Sequence, residues 1–237
     1  MKKLTVHSEI LYILSIVLLA LAVAILTSAD FGVSMVVAPA YILSLWTGVL
    51  SFGQAEYIIQ AILFIIFCIV VKKFKWVYLS SFLTCLIYGL VLDLWRFLPC
   101  FNPSVTPVGS MELPLRIVMF VVGELLTAFS IALCFKSYFY PQVYDFFVKG
   151  VSYRYGLKLH RFKTVFDIIM LIIGTVMTLA VFGKFVGVGI GTLIIALING
   201  TLIGLFCKAI DKFCAVKHFF PRLADKFSFS DQKEVSL

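Results

Sequence analysis

The residues with chemistry to offer in this 237-residue chain are polar groups stranded in apolar surroundings. Glu124 is the one charged side chain between Arg116 and Lys136, Asn199 stands near the middle of another apolar run, and Glu56 and Asp93 stand toward the ends of two more. A charged side chain at the centre of a hydrocarbon layer costs about 3 kcal/mol on insertion scales unless it is paired, solvated or in use. These groups are therefore the first candidates for holding a proton, an ion or a polar solute. Tyr88, Ser34, Asp145 and Asp167 complete the candidate set. The competing role for acids nearer a segment end, such as Asp93, Asp30 and Asp167, is that of an interfacial carboxylate or a charge partner at a helix terminus.

Other chemistries find no foothold. There is no Ser/His/Asp grouping, no phosphate-binding loop and no HExxH, so the sequence points away from an enzyme. His7, His160 and His218 are too far apart in sequence to suggest a metal site, and no cofactor motif occurs. The six cysteines contain no CxxC pair, and most lie inside apolar runs. Although the net charge is +8, the Lys and Arg residues fall between and after apolar stretches rather than on a basic helix with stacking aromatics, which argues against nucleic acid.

What must position the candidates is a membrane bundle. The chain is 62% hydrophobic and 14% charged, with mean hydropathy +1.08, far from the balance of a soluble domain. About 20 apolar residues are needed to cross about 30 Å of hydrocarbon. Six stretches qualify, at 9–28, 54–72, 76–98, 114–135, 164–183 and 188–207. The first, after Met1-Lys2-Lys3, is read as a retained span because it is longer than the apolar part of a signal peptide. Two further apolar segments are deficient: 32–48 is short and carries Pro39, and 139–156 contains Pro141, Asp145, Lys149 and Arg154.

If neither deficient segment crosses and the N-terminus is cytoplasmic, 17 of the 20 Lys and Arg residues lie inside, and only Arg96, Arg116 and Lys184 lie outside. This favours an all-α polytopic bundle of six spans with two short re-entrant or interfacial helices and both termini in the cytoplasm. The loop at 99–113 then faces outward, and the basic, aromatic tail at 211–237 either lies against an anionic inner leaflet or stays free in the cytosol.

The chain also repeats itself. A shift of 111 residues lays 54–95 over 165–206 with about ten identities in 42 positions, roughly twice what an apolar composition gives by chance. Lys73 falls on Lys184, Phe74 on Phe185, Gly89 on Gly200 and Glu56 on Asp167; the two short helices also superpose, with Ser34 opposite Asp145. The halves are then 1–98 and 114–210. Each has three crossings, an odd number, so the second half is expected upside down relative to the first.

Two motifs carry a family likeness. Ala29-Asp30-Phe31-Gly32-Val33-Ser34 after the first span, and Lys184-Phe185-Val186-Gly187-Val188-Gly189-Ile190-Gly191-Thr192 before a span containing Asn199-Gly200, resemble the bacterial YczE/YyaS/YitT membrane proteins. The likeness covers most of residues 10–210. Where similar proteins have a proline soon after the first glycine motif, this chain has Met35 and Val36, and Pro39 comes later. The resemblance implies a bacterial cytoplasmic membrane and supplies no substrate.

The leading expectation is a small-solute transporter using alternating access, with Glu124, Glu56 and Asn199 lining the path and protons or cations as possible coupling ions. Glu124, Asn199 and Tyr88 are expected to meet at the midplane, and Glu56, Asp93 and Asp30 to form an acidic outer vestibule. Tyr144, Asp145 and Asp167 are their expected cytoplasmic counterparts. One alternative is a substrate-capture subunit that docks an energising membrane partner, or a second copy, through the small residues Ala20 and Ala24. The other is a structural or regulatory membrane protein with no transport cycle.

Overall fold

A backbone that leaves water must satisfy its own amides, and the apolar stretches do so as helices. The computed structural model describes residues 4–72 and 74–220. The helices are α1 (Ser8–Ala29), α2 (Ala38–Thr47), α3 (Phe52–Val71), α4 (Leu79–Arg96, preceded by a 3-10 turn at Trp76–Tyr78), α5 (Leu113–Phe135), α6 (Val143–Tyr155), α7 (Leu159–Phe182) and α8 (Ile190–Phe213). Six of them are long and apolar enough to cross a bilayer, and the chain is a multi-pass membrane protein. The other two, α2 and α6, have 10 and 13 residues. At 1.5 Å per residue they are about 15 and 20 Å long, too short to cross.

Local sequence sets the ends. The Ser51 hydroxyl accepts from the Gln54 N–H while the Gln54 side chain accepts from the Ser51 N–H, a capping box that starts α3. At the far end of α1, Asp30 adopts a left-handed conformation (φ 57°), and the Arg116 guanidinium donates to the carbonyls of Ala29 and Asp30, a cation at the negative end of a helix. Both short helices start later than their apolar stretches. Gly32 (φ 103°) and a turn in which the Ser34 carbonyl accepts from the N–H groups of Val37 and Ala38 keep 32–37 irregular. Pro141 keeps the start of 139–156 extended. Conversely, α8 continues past the expected 207 to Phe213, with a 2.7 Å ion pair between Asp211 and Lys136 near its end.

Helix α1 is the hub, packed along α5 and also against α4. Ala20 and Ala24, expected on a partner-facing surface, are 0% exposed inside this packing, so the expected docking stripe is interior. Helices α3 and α4 close through Gly53 and Gly89, where a Cβ on either would run into the other helix. Gly200, the repeat mate of Gly89, faces open space instead, and no such seam joins α7 to α8. The segments just before α1 and just after α8 meet in a short parallel pair, β1 (Leu4–His7) with β2 (Cys214–Lys217), which ties the start of the expected tail to the start of α1. Arg222, Lys226 and Phe227, also part of that tail, lie outside the described residues.

The short helices cross-pack: α2 lies on α3 and α7, and α6 lies on α7 and α3. Each belongs to a hairpin that enters and leaves by one end of the bundle. The first runs from Asp30, bonded to Arg116 at the start of α5, through α2 and back to Ser51 at the start of α3. The second runs from Tyr138, whose hydroxyl donates to Glu9 at the start of α1, through α6 to Tyr155, whose hydroxyl donates to the Val70 carbonyl at the end of α3. Its extended linker is bolted to α4: the hydroxyls of Thr84 and Ser81 donate to the carbonyls of Tyr140 and Pro141. Val36, at the tip of the first hairpin, packs against the cluster built around Tyr144, Phe146 and Phe147 of the second. The tips therefore converge inside the bundle, each beginning a helix whose N-terminal end points inward.

Candidate functional site

At the tip of the second hairpin the polar groups of three segments lock together. Glu56 and Gln60 lie one turn apart on α3, and both are 0% exposed. The Gln60 amide nitrogen donates to Glu56 Oε2 (3.0 Å) and to Gln142 Oε1 (3.1 Å), while its Oε1 accepts from the Val143 N–H (3.1 Å). That last bond satisfies one of the first-turn N–H groups that α6 cannot pair within itself. It also fixes which end of the amide is which, because a backbone N–H can only donate. The Tyr144 hydroxyl supplies a second donor to Glu56 Oε2 at 2.9 Å.

One acceptor of this lock stays open: Glu56 Oε1 is buried and has no partner among the described residues. A buried polar atom left unsatisfied costs about 1–3 kcal/mol. Burial holds the Tyr144 phenol well above its usual pKa, so it stays a donor. On the facing helix α4 the Cys85 sulfur stands 4.0 Å from the Glu56 carbonyl, and Tyr88, one turn along α4, is buried.

The remaining candidates are elsewhere. Asp93 accepts from the Ser51 hydroxyl and from the Gly53 N–H (2.9 Å), and so serves as the anionic partner of the α3 N-terminus. Asp30 pairs with Arg116 at 3.2 Å. The expected outer vestibule of Glu56, Asp93 and Asp30 does not exist, because Glu56 turns inward to α6 and the other two are committed to helix ends. Asp145 and Asp167 share Lys163 at 3.2 and 3.5 Å, as acids neutralising a base. Tyr144, grouped with them by sequence, instead reaches Glu56. Ser34 contributes its carbonyl to the turn before α2.

Glu124 and Asn199 form a second polar location, and Tyr88 is not part of it. Helix α5 packs between α1 and α8. Both carboxylate oxygens of Glu124, and Oδ1 of Asn199, are buried without a partner among the described residues.

Gln60 and Gln142 escaped the sequence reading. The available signal was spacing: Glu56 and Gln60 are four residues apart, on one face of an otherwise apolar helix. Gln142 directly follows Pro141, at the position that starts α6.

The tip of the first hairpin is built differently, from the two motifs that carry the family likeness. The Gly191 N–H donates to the Phe31 carbonyl (2.8 Å), and the Val33 N–H donates to the Gly187 carbonyl (3.0 Å). A Cβ on Gly189 would stand 2.7 Å from the Phe31 carbonyl oxygen, and one on Gly191 would stand 2.6 Å from it. The glycines are there because two backbones touch. A family model of unknown function, DUF6198, matches residues 6–208, a range that takes in both motifs and both hairpins. The chain belongs to the DUF6198 family. No curated protein and no solved structure matches the chain. None of these comparisons links the chain to the YczE/YyaS/YitT proteins.

Proposed function

We propose that this DUF6198 protein carries a small polar solute across the bacterial cytoplasmic membrane by alternating access, and that the solute binds at the tip of the second hairpin. The observation that carries the reading is the partnerless Oε1 of Glu56, enclosed where two interrupted segments converge. Interrupted helices whose ends meet inside the bundle are where secondary transporters place their sites, and the inward N-terminal ends of α2 and α6 add partial positive charge. A solute that offers an ammonium, amide or hydroxyl hydrogen to Glu56 fits this arrangement. Gln60 and Tyr144 hold the carboxylate in place.

The 111-residue repeat supports two inverted halves that rock about this centre. So does the packing, in which α1 on α4 is matched by α5 on α8 and the two short helices are exchanged between α3 and α7. The distribution of Lys and Arg supports cytoplasmic termini. In this reading the protein moves its solute unchanged and is not an enzyme.

The test starts with a thermal-shift screen of polar metabolites on purified protein in detergent, followed by uptake of any stabilising compound into reconstituted vesicles. The expected result is uptake by the native chain and its loss in a folded Glu56→Gln variant. A stabilising compound that the reconstituted protein never moves, or undiminished uptake by Glu56→Gln, sinks the proposal.

A further inference from the structure

The second polar location has a chemistry of its own. Glu124 is 2% exposed, yet neither carboxylate oxygen has a donor. The hydroxyls nearby in sequence on α5 and at the end of α1 are spent on their own helices. Thr127 donates to the Gly123 carbonyl, Ser130 to Leu126, Thr27 to Val23 and Ala24, and Ser28 to Ala24.

The other ionisable groups of the three packed helices stand away from Glu124. On α5 these are Arg116, committed to the end of α1, and Cys134. Helix α1 has Glu9 and Tyr12 at its opposite end, and α8 has Cys207, Lys208, Asp211 and Lys212 in its last two turns. Among the described residues no cation pairs with Glu124.

Helices α5 and α8 run parallel, with Phe120 against Gly191 and Phe129 against Phe206. Glu124 and Asn199 both fall between those two contacts, and Asn199 Oδ1 is a third orphan acceptor. This stretch of the helix pair thus holds three buried acceptor oxygens that have no donor partner among the described residues. What they lack in common is a hydrogen.

We infer that Glu124 is a proton-binding site, separate from the Glu56 site, that loads and releases a proton from within the α1–α5–α8 seam. A proton needs only the one carboxyl, whereas a metal cation needs a shell of about six oxygens, twice the three that stand unpartnered here. The site also touches the first hairpin. Phe120 lies one turn from Glu124 on the same face of α5, and its ring meets the ring of Phe31 at 5.7 Å in the first hairpin linker. The role of this proton in a transport cycle rests on the proposed function above; the existence of the site does not.

The test is labelling of the full-length protein in lipid vesicles with dicyclohexylcarbodiimide, an apolar reagent that adds to protonated carboxyl groups out of water, with the modified residue mapped by mass spectrometry. Glu124 should be labelled in mildly acidic buffer, and the label should be lost as the buffer is made alkaline. Exposed Glu112 should stay unlabelled throughout. Label at Glu124 that ignores pH, or its absence at every pH, overturns the inference. Protection by Na⁺ at constant pH also overturns it, in favour of a sodium site. Labelling with the expected pH dependence in a protein that moves no solute leaves the proton site standing and removes the transport reading.

Discussion

A shift of 111 residues in the sequence lays the two hairpins over one another, yet they are held by different forces. The tip of the second is a side-chain lock: Gln60 and Tyr144 close on Glu56, Gln142 accepts from Gln60, and one Glu56 oxygen is left open among the described residues. At the corresponding positions of the first, 111 residues away, stand Leu171, Phe31 and Val33, and the tip is joined by backbone hydrogen bonds to the glycine loop before α8. A main-chain joint offers a solute nothing, because its donors and acceptors are consumed. A side-chain lock can be rearranged by rotating bonds. The difference assigns fixity to one hairpin and chemistry to the other, within a single architectural plan.

That contrast can be broken most severely at Gly32. Its φ of 103° is one that side chains rarely adopt, and a Cβ there would collide with Thr192 Oγ1 and stand 2.7 Å from the Gly189 nitrogen. Strain and overpacking together should make Gly32→Ala cost about 2–5 kcal/mol. Gly48 (φ 63°) is the control: a Cβ there meets nothing within 4 Å, so Gly48→Ala should cost only the left-handed backbone term of about 1–2 kcal/mol. Thermal unfolding of both variants in detergent measures the difference. Equal losses would mean that the backbone joint is not what fixes the first hairpin.

How much of this was legible beforehand follows from what each feature depends on. The six long helices depend on local apolar length, which any window of the sequence displays. The failure of α2 and α6 to cross follows from length, prolines and charges, all equally local. The site was only half legible. Glu56 stood out as an acid in an apolar run, but its side was read from its distance to the segment end. Its true neighbour was set by how deep the second hairpin enters, a tertiary fact. Asp93 and Asp30 looked alike in sequence and each found a helix terminus, as the simpler reading of both allowed. Ala20 and Ala24 show the same limit from the other direction. Small residues announce close packing but not whether the partner helix belongs to the same chain, and here it does.

The second hairpin should respond less steeply than the first, and through polar bookkeeping rather than collision. Gln60→Leu installs the residue type found at the repeat mate Leu171. It leaves the Val143 N–H without its acceptor and Gln142 Oε1 without a donor, while Glu56 keeps the Tyr144 hydroxyl. With about 1–3 kcal/mol for each buried group left unsatisfied, offset by the better burial of leucine, the loss should be about 2–4 kcal/mol. Equilibrium unfolding or thermal melts of the variant give the number. A neutral result would show that the lock is a site without a structural duty.

The smallest expected effect is also the most diagnostic. Tyr144→Phe removes one hydroxyl and no packing, and Glu56 Oε2 keeps its bond from Gln60, so the loss should be about 1 kcal/mol. The two donors share a single oxygen, however, and neither loss is independent of the other. In the double variant Gln60→Leu, Tyr144→Phe, both Glu56 oxygens are left bare, and the damage should exceed the sum of the single losses by about 0.5–3 kcal/mol. Strict additivity in that cycle would mean that Gln60 and Tyr144 hold the second hairpin separately, and that Glu56 is not the group on which the hairpin closes. The excess, if measured, locates the coupling on that one carboxylate, and the corresponding pair in the first hairpin, Leu171 and Val33, has no hydroxyl or amide through which to show it.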